Sequence, residues 1–186
     1  MIHEVIVTTK SINGDVHNAP MGIKIDQEKV FISPFKPSTT LANLISQKKA
    51  VINFTDDVRI FASIICGIKK DWPLISLKNV DIPRLENINS HYEISVTETI
   101  DDEIRPQVIC EILNKEIHRP FLGFNRAQFS VIEASVLVSR LGRISLEKIL
   151  KEIEYLKIGI EKTSGDKEKE AWDWIENKIA NYREKK

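Results

Sequence analysis

The spacing of apolar residues changes near residue 120, and no fold built from one kind of element can satisfy both stretches. Before that point, short β-branched runs alternate with turn formers. After it, apolar residues recur three and four apart. Isoleucine outnumbers leucine 29 to 12, with most of the excess in the first stretch, where β-branched side chains favour strand.

The first stretch resolves into short elements. Val5 to Thr9 predicts a strand, and Asn13-Gly14-Asp15 predicts a hairpin, because Asn and Gly tolerate the positive φ of tight primed turns. Val16 to Ile25 is the return strand. Pro20 has no N–H for a ladder, so this strand is expected to be an edge, or bulged, around Asn18-Ala19-Pro20-Met21-Gly22. Lys29 to Ser33 follows a turn at 26–28, and two prolines, Pro34 and Pro37, end it. Ser38-Thr39-Thr40 then offers cap hydroxyls to a helix over 39–48 with Leu41, Leu44 and Ile45 on one face. Ala50 to Phe54 predicts a strand, and Asp56-Asp57 predicts the cap of a short helix through Ile60, Phe61 and Ile64. Residues 72–85 suit a loop. Tyr92, Ile94, Val96 and Ile100 alternate with His91, Glu93, Ser95 and Thr97, placing the polar set on a solvated face, and Val108 to Ile117 is the pairing partner.

From Asn125 the pattern is helical throughout. Phe129, Ile132 and Val136 mark one stripe, Leu146 to Ile160 a second, and Trp172, Ile175, Ile179 and Tyr182 a third, with breaks at Gly142 and Ser164-Gly165-Asp166. The expected architecture is α+β: a small antiparallel β-barrel over 1–120 followed by a C-terminal helical subdomain of about three helices over 121–186. Such long stripes must be buried against each other, the barrel or a second subunit.

Charge and composition exclude several classes. Lys plus Arg and Asp plus Glu number 27 each, so there is no net field to draw the chain to nucleic acid or an acidic membrane. No apolar run approaches the roughly 18 residues of a membrane span. Met1-Ile2-His3-Glu4 carries no export signal, and Cys66 and Cys110 sit inside apolar runs without metal or redox spacing. A cytoplasmic protein with two buried thiols is expected, with no nucleic-acid or membrane partner.

Catalytic motifs are absent: there is no GxGxxG, GxxxxGK[ST], GxSxG or HExxH. His3, His17, His91 and His118 are far apart and share no metal-ligand spacing, so no metal site is assigned. Asp56-Asp57 suits a helix cap better than an acid pair. Ser38-Thr39-Thr40, with Lys36 nearby, fits either simple capping or a phosphate held at the positive end of a helix.

Three segments in order, Asn18 to Gly22, Lys36 to Asn43 and Val51 to Phe54, resemble the FMN-binding split-barrel superfamily, which includes flavin reductases. The chain is more similar still to an archaeal family of uncharacterised proteins with this fold, domain-of-unknown-function family 447. That similarity rests on Glu4 to Thr9, Asn18 to Gly22, Asn53-Phe54, Gly123-Phe124-Asn125-Arg126-Ala127, Val131 to Ala134 and Ser139-Arg140-Leu141.

The resemblance implies an antiparallel split barrel that binds FMN. Met21 and the backbone from Asn18 to Gly22 would flank the isoalloxazine, Ser38, Thr39 and Thr40 would hold the phosphate, and Asn53 would touch the ring or ribityl chain. His17 is left between solvent and flavin, and Arg126 between a phosphate and a carboxylate such as Glu133. The implied activity is a flavin-dependent oxidoreductase, working as a homodimer between an NAD(P)H-type donor and a small-molecule acceptor. A flavin carrier without catalysis, or a flavin-free interaction protein using its helical tail, are the alternatives. No catalytic side chain is assigned, since in a flavoenzyme the cofactor carries the electrons.

Overall fold

The computed structural model describes residues 1–184. It opens with β1 (Ile2–Lys10), β2 (Val16–Asp26) and β3 (Lys29–Ile32), then α1 (Thr39–Gln47), β4 (Lys49–Phe54) and α2 (Arg59–Cys66). The stretch expected as loop carries two short strands, β5 (Leu74–Ile75) and β6 (Arg84–Leu85), which pair with each other. A long hairpin of β7 (Ser90–Ile100) and β8 (Gln107–Ile117) follows. Then come α3 (Arg126–Val138), α4 (Leu146–Thr163) and α5 (Asp166–Glu184).

Six strands close into an antiparallel barrel in the order β1-β2-β3-β8-β7-β4. Alternation fills its interior with Val5, Val7, Ile23, Ile52, Ile94 and Val108, and Leu41 and Leu44 of α1 join that core. The first hairpin turns at the expected Asn-Gly, but through a five-residue loop, 11–15, rather than a tight primed turn: Gly14 has φ 94° while Asn13 has no positive φ, and the Ser11 N–H donates to Asp15 O at 2.8 Å. Ser38 caps α1, its hydroxyl accepting from the Leu41 N–H at 3.3 Å.

The chain divides into two compact units. The first comprises 1–55 and 72–121; the second comprises 56–71 and the chain from Leu122 onward. The contiguous division expected at 120/121 thus misses one excursion, because α2 belongs with the later helices. Val58, Ala62 and Cys66 around α2 share a core with α3, α4 and α5. Asp57 stabilises this excursion partly as expected: the cap position is Val58, but the Asp57 Oδ1 accepts the Arg59 N–H at 3.3 Å in the first turn of α2. Its buried carboxylate also accepts from the Arg59 side chain at 2.8 and 2.6 Å and lies 3.3 Å from Lys167 Nζ.

Within the second unit, α4 and α5 bury the expected stripes, including Ile149, Ile153, Trp172 and Ile175. On α3 the expected stripe holds only in part, with Ile132 half-buried against the helical core. Phe129 is exposed, and the buried face runs through Ala127, Val131, Ala134 and Val138. Small side chains face inward there because α4 approaches closely: a Cβ on Gly159 would collide with Ser130 Oγ and lie 3.0 Å from Arg126 O.

The polar face predicted for β7 is also not solvated where it matters. His91 and Glu93 are buried, because residues 77–89 fold back over the outside of β4 and β7. Val80 and Ile82 of that cover pack on Val51.

Candidate functional site

β1 and β2 pair in unbroken register from Ile2↔Lys24 to Lys10↔Val16, so the Asn18–Gly22 segment is regular rather than bulged. Pro20 sits opposite Ile6, and β2 acquires its second neighbour only at Ile23↔Ile32, which leaves the side of residues 16–22 away from β1 without a strand partner. The missing N–H of Pro20 is tolerated on such a side.

Alternation separates the segment's residues. Met21, opposite Val5, is half-buried against the barrel core, while Asn18 and Gly22 point to the outer face. A Cβ on Gly22 would lie 2.9 Å from Cγ2 of the exposed Ile2, which would have to turn aside.

On that outer face Asn18 and Asn53 meet through one hydroxyl. Thr8 Oγ1 donates to Asn18 Oδ1 at 2.6 Å and accepts from Asn53 Nδ2 at 2.9 Å. Asn53 is buried and fully engaged, since Nδ2 also donates to Ile6 O at 3.0 Å and Oδ1 accepts the Leu85 N–H at 2.9 Å. The residue expected to touch a cofactor therefore ties the cover to the sheet, and its reach outward runs through Thr8 to half-buried Asn18.

The three hydroxyl residues at the start of α1 differ in role. Ser38 Oγ is occupied as the cap, Thr40 is buried, and Thr39 is exposed with no acidic residue in that turn. Lys36 does not lend its charge, being paired with Asp101 at 2.9 Å; that hydrogen bond holds the Asp101 carboxyl below its ordinary range. α1 packs on β1 and β2, with Asn43 Nδ2 donating to Thr9 Oγ1 at 3.0 Å. Thr9 in turn faces His17, which is half-exposed and whose pKa is lowered by burial. Arg126, in the second unit, is exposed at the first position of α3 and makes no ion pair with Glu133. A cavity of about 440 Å³ opens at the β1–β2 hairpin between Lys10, Gln47, Lys49 and Asp81, and none of the residues expected to hold the cofactor lines it.

One cluster escaped the sequence reading. His91 and His118, 27 positions apart, bring Nδ1 and Nε2 to 2.9 Å, with Glu116 and Glu93 beside them. The signal was present in the strand pairing: Glu116 near the end of β8 and His118 just beyond it are two apart, and Glu116 pairs with His91.

The family described as "Protein of unknown function (DUF447) N-terminal domain" matches residues 3–119, and "Protein of unknown function (DUF447)" matches 125–177. The chain belongs to the DUF447 family. This DUF447 chain is 28% identical over 156 residues to "Uncharacterized protein MJ1453" of Methanocaldococcus jannaschii, covering 79% of this chain and 78% of that protein. Its fold matches the crystal structure of FMN-bound protein MM1853 from Methanosarcina mazei with a TM-score of 0.81 at 22% identity, over 95% of this chain and 94% of the other. The barrel is also shared with the styrene monooxygenase flavin reductase of Pseudomonas putida S12, with a TM-score of 0.53 at 14% identity, over 63% and 82% of the two chains. The architecture is the antiparallel split barrel with C-terminal helices that the sequence predicted. No helix among the described residues is long and apolar enough to cross a membrane.

Proposed function

We propose that this protein binds FMN and, so loaded, acts as an oxidoreductase between a nicotinamide-type donor and a small acceptor. The observation that carries the reading is the shared fold with an FMN-bound DUF447 protein over nearly the whole chain. The residues present fit such a group. Thr39 offers an exposed hydroxyl at a helix start whose first N–H groups the helix itself does not satisfy, and no acidic side chain in that turn opposes a phosphate. Asn18, steered by Thr8, presents its amide on the outer face of β2, and Met21 carries a polarizable thioether on the opposite, core-facing side of the same segment.

Bound FMN would supply hydride acceptance and electron transfer; the chain's part is to bind, orient and shield. Asn53 acts at one remove by fixing Thr8, and through it Asn18. A homodimer belongs to the same reading, since Leu113 and Ile117 on β8 are exposed apolar surface that a second copy could cover.

Two measurements test the proposal. Thr39→Val should weaken FMN binding about tenfold, as expected for one lost hydrogen bond to a charged group, and leave riboflavin binding unchanged. Equal effects on both ligands would remove Thr39 from the phosphate site. Anaerobic addition of NADH or NADPH to the FMN-loaded protein should bleach the flavin absorbance faster than in free FMN, and equal rates would refute the reductase assignment.

A further inference from the structure

We propose that His91 Nδ1, His118 Nε2 and the Glu116 carboxylate form a binding site for a divalent metal ion of the zinc class, at the paired ends of β7 and β8. This inference is independent of the flavin reading. All three donors belong to the barrel unit, and one ligand atom from each lies within 4.8 Å of the others.

The backbone arranges the site. Glu116 and His118 are two residues apart, and Glu116 is directly opposite His91 in the β7–β8 register. The ends are pinned, because the His118 and Arg119 N–H groups both donate to Asn89 O, at 2.7 and 3.0 Å. The imidazole planes lie within 4° of each other, with facing nitrogens 2.9 Å apart. Zn–N bonds of about 2.0–2.1 Å in a tetrahedral site separate ligand atoms by about 3.3 Å, so the facing nitrogens must part by about 0.4 Å and the rings must tilt until their lone pairs, which now point at each other, converge on the ion. The Glu116 side chain is 57% exposed and free to swing in, while the His118 side chain, 15% exposed, leaves a route for the ion.

A second observation comes from behind His91. Its Nε2 is fully buried with no hydrogen-bond partner and lies 3.5 Å from Glu93 Oε1. Glu93 is itself buried. Its Oε1 accepts from Asn114 Nδ2 at 2.9 Å and Asn79 Nδ2 at 3.4 Å, and its Oε2 has no partner. A buried carboxylate with only amide donors lacks a countercharge, which is costly.

A metal on Nδ1 resolves both deficits. It fixes the proton on Nε2, facing Glu93, and passes positive charge toward the carboxylate, the carboxylate–histidine–metal arrangement that orients metal-bound imidazoles. Two imidazoles and one carboxylate suit zinc-like ions better than Mg²⁺ or Ca²⁺, and three protein ligands leave a fourth position for water. The nearby cation, Arg84, is directed to the carbonyl oxygens of Leu85 and Glu86 and is outnumbered by Glu93 and Glu116.

The test uses the full, untagged chain, stripped with EDTA and titrated with Co²⁺ by visible absorption and with Zn²⁺ by calorimetry. The expected result is one ion per chain, with Co²⁺ bands of tetrahedral intensity. His118→Gln and Glu116→Gln alter partly or largely exposed side chains, so both should fold, as circular dichroism checks. The first should lower affinity at least about 100-fold and the second about 10-fold. Glu93→Gln, which touches no ligand atom, should cost about 10- to 100-fold. Zn²⁺ should raise the unfolding temperature of the wild type and not of His118→Gln. No stoichiometric ion in the wild type, or equal affinity in His118→Gln, would overturn the site and leave the two histidines as a hydrogen-bonded pair.

Discussion

Replacing Asn53 with alanine should release the 77–89 cover from the barrel. The side chain is wholly buried and makes three hydrogen bonds of 2.9–3.0 Å: two donated, to Ile6 O and Thr8 Oγ1, and one accepted from the Leu85 N–H. Only the bond from the Leu85 N–H joins the cover to the sheet, and such a bond contributes about 1 to 1.5 kcal/mol to holding it closed. That corresponds to roughly a tenfold drop in protection of the Leu85 amide against hydrogen exchange, since its opening is a local event. Asn53→Asp should not rescue it, because an oxygen would then face Ile6 O in place of a donor. The assay is native-state exchange followed at Leu85 by NMR, with an amide of the barrel core such as Ile94 as control. Leu85 protection within about threefold of the wild type would refute the argument that Asn53 anchors the cover.

Other outcomes follow from the packing and charge of the structure. Gly159→Ala should lower the stability of the helical unit by about 2 kcal/mol in thermal or urea unfolding, because the new Cβ meets Ser130 Oγ and Arg126 O; adding Ser130→Ala should recover part of the loss. Burial pushes the Asp57 carboxyl up, but its hydrogen bonds and charge contacts with Arg59 and Lys167 outweigh that and hold it below the ordinary 3.8. Its contribution to stability is therefore complete above that value and disappears as pH falls through the lower folded value. Asp57→Asn should destabilise the helical unit at pH 7 and much less near pH 2 by circular dichroism melts, and an equal gap at both would contradict the assignment. Burial pushes the Cys66 thiol up to about 11 and the Cys110 thiol up to about 12, so neither should react with a thiol reagent at pH 8 until the protein is unfolded. Stoichiometric labelling of the native chain would refute that.

Local signals in the sequence carried much of the fold. Asn13-Gly14 placed the first hairpin, Ser38 the start of α1, and the change of period near residue 120 the later helices. Each depends on a few neighbouring residues whose backbone preferences act before any tertiary contact forms. The failures lie where a distant segment decides. His91 and Glu93 looked solvated because alternation says which residues share a face, but not that 77–89 will cover it. On α3 the stripe of Phe129, Ile132 and Val136 is not the face nearest α4, where Gly159 meets Ser130 and the Arg126 backbone. The candidate site was legible in the same uneven way. Asn18 and Asn53 are joined, but through Thr8, whose hydroxyl no motif singled out. His91 and His118 meet across a strand pair that spacing alone does not reveal.

The most direct test of the central claim is the visible absorption of the purified full-length protein after incubation with FMN and removal of the excess by gel filtration. The account predicts that the protein peak retains a flavin spectrum, shifted and resolved relative to free FMN, at about one flavin per chain. A protein peak without flavin absorbance, together with unchanged FMN fluorescence on titration with the protein, would contradict it.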